Sequence, residues 1–180
     1  MRAVCFYICS NCFMPLPVQE LIKRFGLLPH PEGGYYKETY RSAESIPKDS
    51  LPGRFTGNRN FSTAIYFLLE EGSFSAFHRI RSDECWHFYA GGTLLVHIIN
   101  PNGKLETVNL GNDTNRGETF QYVVPAGCWF ASEPAPGSIF SFVGCTVAPG
   151  FDFTDFELAE ANELIKQYPQ YPEMIKRLCR

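Results

Sequence analysis

Four residues between positions 72 and 91 constrain the fold of this chain more strongly than any other feature of its sequence. Gly72, His78, Glu84 and Gly91 follow the spacing G-x5-H-x-I-x3-E-x6-G. Residues two apart on a β-strand point to the same face, so Ile80 lies beside His78 on one face of a strand. Isoleucine therefore contributes an apolar wall at the position where a second imidazole would share that face.

Short strand-forming segments follow one another through the middle of the chain. Turn sequences such as Pro101-Asn102-Gly103 and Pro136-Gly137 separate them, and this even spacing is typical of a β-sandwich or β-barrel. The predicted strands cover residues 62–69, 74–80, 84–89, 93–99, 104–110, 119–124, 128–132 and 138–147. A length of 180 residues fits one domain with a sizeable core.

The two ends of this domain are predicted to be helical, and one long loop precedes the strands. Apolar residues at the helical spacing 18, 21, 22 and 25 predict a short amphipathic helix that Gly26 ends. Thr154 and Glu157 form a capping box, which predicts a second helix as far as Pro169. The polar, Gly- and Pro-rich stretch 43–60 is predicted to be a loop.

Several motifs occur together in an order that resembles a known protein family. They are L-P-H-P-E-G-G-Y-Y from Leu28, T-A-I-Y-F-L-L from Thr63, F-H-R from Phe77 and V-A-P-G-F from Val147. Over most of its length the chain resembles the cupin-5 family of the cupin superfamily, which is similar to the sugar-nucleotide epimerase-like cupins. The resemblance implies an all-β fold, the cupin double-stranded β-helix or jelly roll with a short N-terminal and a C-terminal helix. It also implies a central cavity and a homodimer.

The resemblance also bears on metal binding. A full cupin site holds its metal with an H-x-H pair, a Glu and a His from a second motif, but Ile80 and Phe130 stand at two of these positions. Because His78 and Glu84 are too few donors for a tight divalent site, no tightly bound metal is expected. A weak divalent site would need His87 as a third ligand, and regular strand alternation turns His87 to the opposite face.

Similarity to sugar epimerases of this fold implies roles for further residues. His78 is the predicted general base, because a neutral imidazole has a pKa near neutrality, and Glu84 is its predicted partner. Tyr66 is the predicted proton donor on fold analogy alone. Trp86 and Phe130 are predicted to shape the pocket.

Two arginines are candidates for binding an anionic group of the substrate. Guanidinium forks suit carboxylate and phosphate groups. Arg41 ends a Tyr-rich segment, and Arg79 directly follows His78. Strand alternation turns Arg79 away from His78, where it could reach the site of a neighbouring subunit.

These residues favour a sugar or sugar-phosphate isomerase or epimerase that transfers a proton next to a carbonyl, without a tightly bound cofactor. Two alternatives remain open. A non-catalytic cupin would bind a nucleotide or another metabolite in the same barrel. A metal-dependent isomerase or oxygenase would use His78, Glu84 and His87 together with water.

Composition limits the partners and the cellular compartment. A net charge of -3 without a long basic run argues against nucleic acid or an anionic membrane, so a small molecule is the expected partner. The seven cysteines are scattered, which predicts reduced thiols and a cytoplasmic protein. Three of them, Cys5, Cys9 and Cys12, fall in residues 1–16, a predicted flexible leader before a single domain at 17–180.

Overall fold

The computed structural model describes residues 18–180, which are mainly β-structure. The helices are α1 (Val18–Phe25), α2 (Ala161–Gln167) and α3 (Pro172–Arg177). Short 3₁₀ turns occur at Lys48–Ser50, Thr114–Arg116 and Phe153–Asp155. The strands are β1 (Leu28–Pro29), β2 (Tyr35–Arg41), β3 (Ser45–Ile46), β4 (Arg59–Asn60), β5 (Thr63–Glu70), β6 (Ser75–Arg79), β7 (Asp83–Gly91), β8 (Leu94–Ile99), β9 (Leu105–Leu110), β10 (Gln121–Val124), β11 (Trp129–Pro134), β12 (Phe140–Ala148) and β13 (Glu157–Leu158).

Two antiparallel sheets form the barrel. One has the strand order β1-β2-β5-β12-β7-β10, and the other has the order β13-β6-β11-β8-β9. β3 and β4 pair with each other as a separate ribbon. Strands distant in sequence are neighbours in both sheets, as a jelly roll requires. The predicted all-β jelly roll is confirmed.

Alternating apolar side chains fill the space between the sheets. Phe67, Trp86 and Val143 come from the six-stranded sheet, and Val96 and Phe130 come from the five-stranded sheet. Each of these side chains is at most 1% exposed. Burying a large apolar side chain stabilises a fold by about 1.5–3 kcal/mol. The apolar residues that recur at every second position of the strands are therefore the ones that form this core.

The strands predicted between residues 62 and 147 correspond to β5 to β12, with differences of only a few residues at their ends. The sequence pattern did not reveal β2, because only its first two residues are even half-buried and the others are exposed. The stretch 43–60, predicted to be one loop, contains β3, β4 and a 3₁₀ turn. These short pieces lack the length that makes a periodic pattern visible.

The predicted C-terminal helix is present, but it begins later than the capping box indicated. The Asp152 carboxylate accepts a hydrogen bond from the Thr154 amide and caps a 3₁₀ turn. β13 follows and pairs with β6, and α2 starts only at Ala161. The same edge of β6 receives the C-terminal segment, because the Phe77 amide donates to the Leu178 carbonyl at 2.7 Å.

Several predictions fall on residues 1–17, which lie outside the described residues. They concern the leader at 1–16 and the three cysteines within it. Among residues 18–180, the cysteines at 85, 128, 145 and 179 are free thiols. No helix in this part of the chain is long and apolar enough to cross a membrane.

Candidate functional site

A cavity of about 300 Å³ opens inside the barrel. Its lining includes the ionisable side chains of His30, Glu32, His78, Glu84 and Cys145. The remaining lining residues are mainly aliphatic and aromatic: Tyr36, Glu38, Arg41, Thr63, Ile65, Phe67, Ile80, Val147, Phe151, Phe153 and Phe156. A mostly apolar enclosure with a few convergent polar groups is the usual form of a small-molecule site.

Strand alternation brings the two predicted catalytic residues into this cavity. His78 lies on β6, and Glu84 lies on β7 opposite Val147 of β12. Ile80 shares the wall with His78, as its position two residues later predicts. His78 is 2% exposed and Glu84 is 8% exposed, so both are removed from bulk water.

A second buried carboxyl enters the cavity from the turn between β1 and β2. Glu32 is 6% exposed and accepts a hydrogen bond from the Ser75 hydroxyl at 2.8 Å. Gly33 and Gly34 have φ angles of 119° and 68°, which favour glycine. A Cβ at Gly33 would lie 2.1 Å from the Phe74 carbonyl oxygen. The two glycines thus let the turn press against the sheet so that Glu32 reaches the interior.

Both ring nitrogens of His78 are engaged within the protein. Nδ1 lies 2.7 Å from the Ala76 carbonyl oxygen, so it must carry a hydrogen and donate. Nε2 lies 3.1 Å from Oε2 of Glu32. Burial lowers the pKa of His78 and raises the pKa of Glu32. Both shifts favour the neutral form of each group.

Glu84 is the cavity carboxyl that is best placed to exchange a proton near neutral pH. Burial is the main cause that raises its pKa, to about 7, while attraction to His78 opposes the shift. The Cys145 thiol beside it also lowers that pKa through a hydrogen bond. A carboxyl with a pKa near the working pH suits general acid or base catalysis.

Three phenylalanines form an aromatic strap over one side of the cavity. Phe151, Phe153 and Phe156 follow β12, and the rings of Phe151 and Phe153 meet edge to face at 5.0 Å. The Arg59 guanidinium fixes this strap by donating to both oxygens of Asp155 at 2.5 and 2.6 Å. Both side chains of this ion pair are 4% exposed. The strap is therefore anchored by a buried, bidentate charge pair.

The two predicted anion-binding arginines lie in different places. Arg41 lines the cavity, but it already donates to both carboxylate oxygens of Glu38, to the Asn60 side chain and to the Phe151 carbonyl. Arg79 does not line the cavity, as its alternation with His78 predicts. It stacks over the Trp129 ring.

Tyr66 does not line the cavity, where a proton donor to the substrate would have to lie. Its neighbours Ile65 and Phe67 line the cavity, so alternation along β5 turns Tyr66 to the outer face of the sheet. There it packs against Phe25 and Phe142. The assignment of Tyr66 as the acid is therefore corrected.

The predicted pocket aromatics lie one layer behind the cavity surface. Phe130 is paired opposite His78, with the two ring centroids 4.1 Å apart. Trp86 packs edge to face on Phe130 and Phe67. Of these aromatic residues, only Phe67 itself lines the cavity. Phe130 and Trp86 thus support the floor of the site and do not face a ligand directly.

The residues present do not fit a cupin metal centre. His87 faces away from Glu84 and contacts Thr146 and Gln121 on the outer face, so the proposed triad of His78, Glu84 and His87 does not assemble. Both nitrogens of His78 are already bonded. Across residues 18–180, no group of three or more His, Cys, Asp or Glu side chains is arranged to hold a metal ion.

Sequence reasoning missed Glu32, His30 and Cys145 as cavity residues. His30 and Glu32 lie in a turn, where no strand or helix period shows the direction of a side chain. The paired glycines after Glu32 were the available signal, because such a pair marks a tight backbone approach. Cys145 lies two residues before Val147 on β12, and both face the cavity, so the direction of Cys145 followed once the inner face of that strand was known.

Comparison with known proteins agrees with this architecture. The model of a family described as "Cupin superfamily (DUF985)" matches residues 19–159. The uncharacterized protein YML079W of Saccharomyces cerevisiae is 33% identical over 161 residues, which are 84% of this chain and 80% of the yeast protein.

Two solved structures are similar along most of this chain. Protein SO0799 from Shewanella oneidensis has a TM-score of 0.81 and 40% identity, over 91% of this chain and 97% of that one. A hypothetical protein from Leishmania major has a TM-score of 0.80 and 38% identity, over 90% and 98% of the two chains. The names of these relatives assign no activity.

Proposed function

We propose that this chain, which belongs to the Cupin_5 family of the cupin superfamily (DUF985), binds a small polar molecule in its barrel and transfers a proton at it. The reaction is an isomerisation or epimerisation of a sugar or sugar phosphate, at a carbon next to a carbonyl. The observation that carries this proposal is the position of Glu84, which lines the cavity at 8% exposure, where burial raises its pKa to about 7.

Glu84 is the proton-transferring group in this mechanism. As a carboxylate it takes the proton from the carbon next to the carbonyl, which leaves an enediolate, and as a carboxylic acid it returns the proton to the former carbonyl carbon while the hydroxyl proton moves between the two oxygens, which completes an isomerisation. Return of the proton to the original carbon gives the epimer only when the intermediate turns its opposite face to Glu84. Both forms are populated near pH 7, because the pKa lies there. Glu84 is 8% exposed in a mainly apolar wall, so its interaction with a bound substrate is stronger there than in bulk water.

His78 and Glu32 act as a positioning pair. The imidazole has no free nitrogen for the substrate in this arrangement, since it bonds Ala76 and Glu32. The pair fixes the wall beside Glu84. In this proposal the general base is Glu84 and not His78.

Exchange of carbon-bound hydrogen with deuterated solvent tests this mechanism directly. Sugars and sugar phosphates that bind would be followed by NMR, which detects abstraction at carbon even when net conversion is slow. Glu84→Gln keeps the volume of the side chain and should lower the exchange rate by about 10² to 10⁴. Wild-type exchange should increase with pH and level off above about pH 7, because the base must be deprotonated.

His97→Asn serves as a matched control. His97 is also buried, but it bonds Thr107 and Glu133 and does not line the cavity. Its substitution should leave exchange unchanged. Equal rates in wild type and Glu84→Gln, on every sugar that binds, would contradict the mechanism.

A non-catalytic binding role is the second candidate. The observation that favours it is the complete internal bonding of His78, which leaves the cavity with few free polar groups. A ligand that co-purifies and is held tightly, without any exchange of its hydrogens, would support this alternative.

A further inference from the structure

A second depression, of about 450 Å³, shares part of its wall with the cavity. Ile80 and Phe156 line both spaces, so they form a thin partition between them. The second space also presents Arg54, Arg79 and Arg81. We call it the arginine groove. Three guanidinium groups thus lie directly behind the wall of the proposed reaction site.

Two of these arginines hold each other in place. The Nε atom of Arg54 donates to the Arg81 carbonyl at 2.7 Å, and Nη1 of Arg81 donates to the Arg54 carbonyl at 2.7 Å. Each guanidinium uses one N–H group in these two hydrogen bonds and has several more. The exchange fixes the two side chains and leaves most of their N–H groups available to a ligand.

The carboxylates of the arginine groove neutralise this pair only in part. Asp155 is bonded through both oxygens to Arg59, and its contact with Arg81 measures 3.7 Å, which is too long for a hydrogen bond. Glu157 bonds Arg79, and its side chain is 54% exposed, so the pair is screened by water. Within residues 18–180, Arg54 has no ion pair, and the ion pair of Arg81 is the 3.7 Å contact with Asp155, a carboxylate that Arg59 holds more closely.

We propose that the arginine groove binds a phosphate group, and that this phosphate belongs to the substrate whose carbonyl end occupies the cavity. Guanidinium forks match the oxygens of a phosphate, and the spare donors of Arg54 and Arg81 supply the bonds. Phe156 separates the two spaces and is only partly buried, so its ring must turn aside for a ligand to span both. Arg41 is a poorer candidate, because its donors are already used.

This inference rests on the proposed function only in assigning the phosphate to the substrate. Its test measures binding and needs no turnover, so its failure is distinguishable from a failure of the proton-transfer mechanism. Inorganic phosphate and pyrophosphate would be titrated into the protein by isothermal calorimetry at constant low ionic strength. One equivalent of each should bind.

Variants locate the bound anion. Arg81→Gln and Arg54→Gln should each weaken binding of both probes by about tenfold or more, since each removes hydrogen bonds to a charged group. Arg24→Gln is the control, because Arg24 is an exposed arginine on α1. Arg54 is also exposed, so Arg54→Gln should fold even if Arg81→Gln is unstable.

Three results would overturn the assignment. They are an absence of binding, equal weakening by Arg24→Gln, and loss of binding in Arg41→Gln but not in the groove variants. If phosphate binds in the arginine groove but does not compete with a sugar phosphate that binds the protein, the anion is a separate ligand. The link to the substrate would then be wrong.

Discussion

Nε2 of His78 lies 3.1 Å from Oε2 of Glu32, although the two residues come from different parts of the domain. His78 belongs to β6, and Glu32 belongs to the turn that precedes β2. Burial favours the neutral form of each group. We therefore expect this pair to be a carboxylic acid that donates to an imidazole, and not an ion pair.

Glu32→Gln and Glu32→Ala should distinguish a neutral Glu32 from a charged one. A glutamine amide can donate to Nε2 of His78 and accept from the Ser75 hydroxyl, so it should keep both bonds and most of the stability. Alanine leaves both partners buried and unpaired, which should cost about 1–3 kcal/mol of unfolding free energy. Urea denaturation at pH 7 measures the unfolding free energy of both variants. If glutamine costs as much as alanine, Glu32 is charged and the neutral description is wrong.

The stability of the fold should depend on Glu84 with a definite sign. Its pKa rises from 4.5 to about 7 on folding, so the folded chain binds this proton more tightly than the unfolded chain. The resulting stability is fully present below about pH 4.5 and is lost as pH increases through about 7. Between pH 5 and pH 8, the stability of Glu84→Gln relative to wild type should therefore increase by about 2.5 kcal/mol.

Glu118→Gln provides the control for this measurement. Hydrogen bonds from Thr93 and from the Asp113 amide lower the pKa of Glu118, so its contribution is lost only as pH falls below the usual range. Its effect should be the same at pH 5 and pH 8. A Glu84→Gln effect that is equally flat would show that Glu84 is ionised throughout this range.

Asp155→Ala should destabilise the protein strongly. It removes the partner of Arg59, whose side chain is 4% exposed, and a buried charge left unpaired costs about 3–5 kcal/mol. Chemical denaturation should show the loss. Glu163→Ala is the matched control, because it breaks an exposed ion pair with Lys166, and such pairs contribute little. Similar effects of the two substitutions would show that the Arg59 pair does not anchor the aromatic strap.

Much of the barrel could be predicted from the sequence, because its core repeats with a period of two residues. The same period set the directions of His78, Ile80 and Glu84 and turned His87 outward. The same period also gives the direction of the Tyr66 side chain, once one of its neighbours is known to face the cavity. No sequence signal showed which face of β5 was the inner one, so the direction of Tyr66 was open and was assigned incorrectly.

The residues that could not be predicted depend on tertiary contacts. Glu32 enters the site through a turn that packs against Phe74, and no local pattern encodes that contact. The capping box at Thr154 is overridden because Asp152 caps a 3₁₀ turn and Asp155 binds Arg59. The local helix propensity of this segment is outweighed by the buried ion pair and by the pairing of β13 with β6.

The edge of β6 has a consequence for synthesis on the ribosome. His78 lies on this strand, whose outer edge pairs with β13 and with the carbonyl of Leu178. Those partners are translated long after β6 itself, so the nascent chain carries an open strand edge that can pair with other chains. We therefore expect the strand that bears the imidazole to need protection from aggregation until β13 and Leu178 have left the exit tunnel.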